Sequence, residues 1–222
     1  MKSENELKTL LLIFNESDFL EDRNIENLFA HFPAIQNEGI ENLIVYIDFL
    51  DAIDKKELLI RILSDKIWSV SQKNASSSSP KISDCFIISD FDCLPDFSKI
   101  SDSNFSDSSD FSGSSDLFVY FVFNLGGREE LKKILSAFIQ KCQNKQLSAS
   151  DMTPEFISSS LPLPFEPDFI ISVSKNTLTD FMIWQTVYSE YYYLDKDIGR
   201  LTDSDFRNAF ENFKNRGRRY GV

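Results

Sequence analysis

The sequence is poor in the residues that staple, anchor or electrostatically tether a chain. It holds three cysteines, Cys85, Cys93 and Cys142, an odd number with no CxxC spacing. That argues against a disulfide framework or a structural zinc site and for reduced thiols in a cytosolic protein. Positive charge is short as well: 23 Lys and Arg stand against 35 Asp and Glu, a formal net charge of -12. Phosphate backbones are bound by clustered cations, so no nucleic-acid partner is expected. No apolar run approaches the roughly 18–20 residues that cross a bilayer. The first eight residues, MKSENELK, do not have a signal peptide's charge and apolar pattern. The expectation is a cytoplasmic chain that meets a membrane only peripherally, through an assembly.

Phenylalanine is abundant instead. There are 21 Phe in a chain that is 42% hydrophobic, and most fall within periodic apolar segments, which reads as packing. A length of 222 residues suits one large domain or two small ones. Short continuous apolar runs at 10–14, 43–47, 85–89, 117–123 and 169–173 read as buried strands. Helical spacing is expected over 25–37, closed by Gly39, and over 55–68, 129–142 and 180–193. A last helix is expected over 203–215, capped by Thr202 or Asp203. The Ser- and Asp-rich stretch 98–116 reads as a flexible surface loop, set off like the polar break at 76–80. Buried strands alternating with amphipathic helices predict one α/β domain over 1–222, a mostly parallel sheet with helices on both faces.

Three segments hold residues suited to chemistry. Asn124-Leu125-Gly126-Gly127-Arg128-Glu129-Glu130 lies between a strand and a helix, where ligands of open α/β sheets gather. Its glycines would let backbone N–H groups approach an anion beside Arg128, or simply make a tight connection. The expected helix at 180–193 is dense in aromatics, which suits either a core or an interface. The tail Arg216-Gly217-Arg218-Arg219-Tyr220-Gly221-Val222 is basic in an acidic protein, and is either solvated or a diphosphate clamp.

In this order the segments resemble the cis-prenyltransferase family of undecaprenyl and dehydrodolichyl diphosphate synthases. Asn124 to Glu130 is similar to the family's Asn-Tyr-Gly-Gly-Arg-x-Glu motif. Phe181, Trp184-Gln185 and Tyr188-Ser189-Glu190 are similar to its Ser-Asn-Phe-x-x-Trp-Gln-x-x-Tyr-x-Glu element. Arg218-Arg219-Tyr220-Gly221 is similar to its Arg-Arg-Phe-Gly terminus, and Gly39 to Tyr46 to a strand entry. The resemblance implies the family fold and chemistry that joins isopentenyl diphosphate to an allylic diphosphate with Mg2+.

The same resemblance shows what has changed. Where the family carries the Asp of Asp-Gly-Asn-x-Arg-Trp, this chain has Asn15, so the carboxylate that would hold magnesium is replaced. Where an Arg-x-Ser-Gly-x-x-Arg-x-Ser loop grips isopentenyl diphosphate, Ser172 and Thr177 stand in place of the arginines. The Phe-Ser-x-Glu-Asn element has become Asp48-Phe49-Leu50-Asp51-Ala52. The resemblance thus implies a non-catalytic subunit of the Nogo-B-receptor type, with no metal of its own and Mg2+ in a catalytic partner. In that reading Arg218, Arg219 and Gly221 complete the partner's diphosphate site. Phe181, Trp184, Tyr188 and Tyr191 form the interface, while Asn124, Gly126, Gly127, Arg128 and Glu190 keep family positions without an assigned role. The eukaryotic partners of this type usually carry an N-terminal membrane segment, so the pattern here implies an archaeal-type heteromer. Two alternatives stand beside it: a divergent homodimeric synthase placing Glu16, Asp18 and Glu190 on metal, and a scaffold that has left prenyl chemistry.

Overall fold

The computed structural model describes residues 6–49, 56–75, 82–89, 117–123, 125–163, 165–173 and 179–216. The expected loop at 98–116 and the break at 76–80 lie outside them, as do Asn124, Thr177, Arg218, Arg219 and Gly221.

Six strands form one sheet: β1 (Thr9–Asn15), β2 (Asn42–Asp48), β3 (Ile82–Ser89), β4 (Leu117–Phe123), β5 (Phe169–Val173) and β6 (Glu190–Leu194), in the order β3-β4-β2-β1-β5-β6. Every pairing is parallel. The strands are continuous apolar runs because both faces of the sheet are covered. Along β1, Leu10, Leu12 and Phe14 join one apolar cluster, while Leu11 and Ile13 join the other. The larger cluster takes in α1 (Asp22–Asn37), α2 (Lys56–Ala75) and α5 (Asp203–Lys214), whose Phe206, Phe210 and Phe213 lie against the sheet. Phe121 stacks on Phe29 at 5.8 Å, and Phe169 meets Phe213 at 4.9 Å. The abundant phenylalanine is therefore core, each fully buried ring contributing on the order of 1.5–3 kcal/mol. Gly39 ends α1 with φ at +86°, a conformation that only glycine adopts without strain.

Across the second face lie Leu163, Phe165 and the turns around Phe181 and Met182. Beside them α3 (Gly127–Gln143) meets α4 (Pro154–Ser160) through an edge-on contact of Phe138 with Phe156 at 5.1 Å. At the start of the strands, the buried Asp168 accepts the N–H groups of Lys8 at 2.9 Å and Thr9 at 3.0 Å. That carboxylate fixes where β1 enters relative to β5.

One expected helix is not there. Residues 181–188 are turns, and the Tyr-rich end of the segment is strand β6, paired with β5 from Phe169↔Glu190 to Val173↔Leu194. Met182 sits at φ +53°, which no right-handed helix accommodates. The run Glu190-Tyr191-Tyr192-Tyr193 has high β-propensity and no helical period, so pairing with β5 decides its state. Elsewhere α2 runs on to Ala75, beyond the expected end at Trp68, and α3 begins at Gly127, two residues before the expected start. The short α4 was not expected; Thr153 caps it by accepting Phe156 N–H at 3.2 Å, with Pro154 in the first turn.

Candidate functional site

Parallel strands bring the ends of β1, β2, β4 and β5 to one edge. The register pairs Asn15 with Asp48, Ile47 with Phe123 and Ile13 with Ser172. The family-matched turn and the aromatic turn segment both arrive there. Gly127 N–H donates to the Asp180 carbonyl at 3.0 Å. A Cβ on Gly127 would overlap that carbonyl oxygen and lie 2.9 Å from the Ile183 amide nitrogen. The glycine is thus required by backbone meeting backbone, and its N–H is engaged within the chain instead of being offered to an anion. Beside it, Arg128 is exposed and Gly126 half-buried.

The centre of this edge is acidic. Tyr46 is buried against Phe181, with ring centroids at 3.9 Å and planes within 4°. Burial pushes the Tyr46 phenol well above its ordinary range, and the negative charges of Asp48, Asp180 and Glu130 push it the same way, with a hydrogen bond to Asp48. These carboxylates come from β2, the aromatic turn and the first turn of α3. Sequence reasoning recorded Asp48 only as a departure and did not foresee the cluster, because its members lie far apart in the chain.

At the end of β1, the Asn15 N–H donates to the Asp18 carboxylate at 2.9 Å, inside a short 3-10 turn over Glu16–Phe19. Asn15 Oδ1 and Glu16 Oε2 are both buried without a hydrogen-bond partner. Ser172 is 1% exposed inside β5, too enclosed for its hydroxyl to serve as a ligand grip. Among the described residues no group of three or more His, Cys, Asp or Glu is arranged to hold a metal ion. Among the described residues, the end of β1 offers only Asn15 Oδ1 and Glu16 Oε2 as free oxygens, fewer than a magnesium site of protein ligands needs.

Glu190 lies at the start of β6, on the edge strand of the sheet. Arg216 donates to its Oε2 at 3.0 Å and to the Tyr191 carbonyl at 2.7 Å, while Arg216 Nε donates to Asn212 Oδ1 at 2.8 Å. Arg216 had been counted only among the basic tail residues. Of the expected interface residues, Phe181 is 3% exposed and stacked on Tyr46 within the chain's own core. Trp184 is half-buried and donates to Ser158 Oγ at 3.0 Å, and Tyr191 is half-buried in β6. Tyr188 is exposed, together with Ile183 and Val187 of the same turns.

An open parallel sheet with a Gly-Gly turn and an aromatic turn converging on its strand ends defines the class of α/β proteins that use this edge as a site. A family model described as "Putative undecaprenyl diphosphate synthase" matches residues 21–221, and the chain belongs to this family of cis-prenyltransferases. It is 35% identical over 108 residues to an isoprenyl transferase of Shouchella clausii, an alignment covering 47% of this chain and 42% of that protein. It is 38% identical over 103 residues to an isoprenyl transferase of Deinococcus radiodurans, covering 43% and 38%. The chain thus spans about two fifths of the length of these curated relatives. In structure it is similar to lavandulyl diphosphate synthase from Lavandula x intermedia, solved with dimethylallyl diphosphate, at a TM-score of 0.73 and 18% identity, covering 99% of this chain and all of the other. A probable undecaprenyl diphosphate synthase from Campylobacter jejuni gives a TM-score of 0.68 at 19% identity over 98% of this chain. No helix among the described residues is long and apolar enough to cross a membrane.

Proposed function

We propose that this chain is a non-catalytic subunit of a heteromeric cis-prenyltransferase, supporting a partner that elongates an allylic diphosphate with isopentenyl diphosphate. The observation that carries the reading is the inverted charge at the strand edge. The Tyr46 phenol is raised first by its burial and then by the charges of Asp48, Asp180 and Glu130, so carboxylates stand at an edge where a diphosphate needs cations. The neutral Asn15 amide, the enclosed Ser172 and the engagement of Glu190 by Arg216 support the same conclusion. Mg2+ and both substrates then belong to the partner's site, to which Arg218, Arg219 and Gly221 are the candidate contribution of this chain.

The test is reconstitution. The purified chain alone should incorporate no isopentenyl diphosphate, and a homologue carrying the intact Asp-Gly-Asn and Arg-x-Ser motifs should gain turnover on mixing with it. Incorporation by the isolated chain at rates like those of its catalytic relatives overturns the proposal.

One observation favours a second reading, a divergent synthase active on its own. The unpartnered Glu16 Oε2 and Asn15 Oδ1 lie side by side in sequence at the end of β1, where a cation could gather them. Under that reading the isolated chain is active and Glu16→Gln abolishes its activity.

A further inference from the structure

The chain has one histidine, His31, and the fold buries it. It lies on α1, which packs against the 3-10 turn Ile198–Arg200 and against α5. The ring sits beside Phe206 at 5.3 Å. Each ring nitrogen faces an oxygen: Nδ1 stands 2.6 Å from Asp203 Oδ1, and Nε2 stands 3.1 Å from the Leu201 carbonyl. A carboxylate and a carbonyl only accept, whereas a neutral imidazole has a single N–H to give. The neutral ring would turn a lone pair toward one of these oxygens; the imidazolium satisfies both. Both oxygens need a donor. Leu201 is buried just before the Thr202 cap, outside the helix ladder, and the other contact to its carbonyl, from Asn27 Nδ2, is long at 3.4 Å. Asp203 lies in the first turn of α5, where the helix dipole favours a negative charge.

We propose that His31 is a pH-sensitive latch between α1 and the start of α5. With two protons the ring ties Asp203 and Leu201 at once; when it gives one up, one of the two ties opens. The other groups around it do not take over either role. One turn away on α1 stand Asn27, Leu28, Ala34 and Ile35, none of which titrates. At the 3-10 turn, Arg200 pairs with Asp197 at 3.7 Å. On α5, Asp205 accepts from Lys196 and Thr202, and Arg207 is exposed. The tie that needs the second proton is present at low pH and lost as pH rises, so the stability that His31 contributes falls with rising pH. The Asp203 side chain is 56% exposed, so the effect is modest. The latch belongs to this chain's own fold and does not depend on the accessory-subunit reading.

The test compares urea unfolding of the wild-type chain and His31→Gln at about pH 5.5 and about pH 7.5, the window in which histidine is the side chain that ordinarily titrates. With one histidine in the chain, a difference in pH response between the two proteins belongs to His31. Between these pH values the unfolding constant of wild type should rise about fivefold more than that of His31→Gln. A His31→Gln chain that is less stable but responds to pH as wild type does shows a structural contact alone and overturns the latch. Asp203→Asn keeps the ring and removes only the charge, so it decides the matter even where His31→Gln fails to fold. Its pH response should be clearly smaller than that of wild type, and an equal response overturns the latch. Amide exchange, corrected for its intrinsic pH dependence, locates the event. Opening at residues 203–206 should be about threefold more frequent at the higher pH. An increase there no larger than across the sheet overturns a local latch.

Discussion

Two side chains, one absent and one buried, show how far single positions decide this fold. Gly127 has no Cβ because none fits: the Asp180 carbonyl occupies the space, and its own N–H is bonded there at 3.0 Å. Gly127→Ala must push the aromatic turn off the first turn of α3, and overpacking against backbone costs about 1–3 kcal/mol or more. Urea denaturation of that variant checks it, with the loss expected in the midpoint and not in the slope. Asp205 is the buried carboxylate that completes the capping box of α5, whose N-cap is Thr202. It accepts Thr202 N–H at 2.9 Å, Thr202 Oγ1 at 2.7 Å and Lys196 Nζ at 2.5 Å. Burial alone would raise its carboxyl, but the bonds from Lys196 and Thr202 outweigh it, and the group titrates below its ordinary value. A depressed carboxyl contributes stability that is complete above its unfolded value near 3.9 and is lost as pH falls through the folded value. Asp205→Asn should therefore cost about 1 kcal/mol at neutral pH and a shrinking amount below about pH 4, read from thermal midpoints across that range.

At the level of elements, legibility in the sequence followed the range of the forces involved. Strands β4 and β5 match the expected runs to the residue, because seven or five consecutive buried apolar side chains leave a parallel strand few alternatives. The segment 180–193 went the other way. Its aromatic spacing suits a helix locally, yet Phe181 is held on Tyr46, which lies on a strand distant in sequence, and the tyrosines pair with β5. Such contacts leave no mark on neighbouring residues, and for the same reason the acid cluster around Tyr46 was invisible. The Thr153-Pro154-Glu155 start of α4, by contrast, carries its cap signal within three consecutive residues. The strand starts depend on one polar device, Asp168. Asp168→Ala removes the acceptor of two backbone N–H groups from a 2%-exposed site and should cost about 2–4 kcal/mol. Hydrogen exchange should quicken first at Lys8 and Thr9; unchanged protection there would show that β1 is registered by its apolar neighbours alone.

For the whole molecule, the aromatic turns leave only a small apolar surface among the described residues. With Phe181 drawn into the core, the exposed apolar side chains of the aromatic turns are Ile183, Val187 and Tyr188, at 42%, 67% and 56%. If a catalytic homologue docks there, Val187→Asp places a charge in a desolvated contact and should weaken the complex by about tenfold or more while leaving the chain folded. Size-exclusion chromatography of the mixed subunits, with circular dichroism of the variant as control, reads both. A complex that survives unchanged moves the interface elsewhere on the fold.

The position of Arg216 has a consequence for solubility as well. Among the described residues, strand β6 has a neighbour on one side only, and a strand in that position offers its backbone groups to any passing β-segment. The guanidinium on the Tyr191 carbonyl takes up one of those acceptors and places an ion pair with Glu190 at the start of the strand. Tyr191 and Tyr193 stack along the strand at 6.4 Å, an apolar ladder that would otherwise favour association with a second copy. One side chain near the end of the described chain thus closes part of the edge that the sheet would otherwise present.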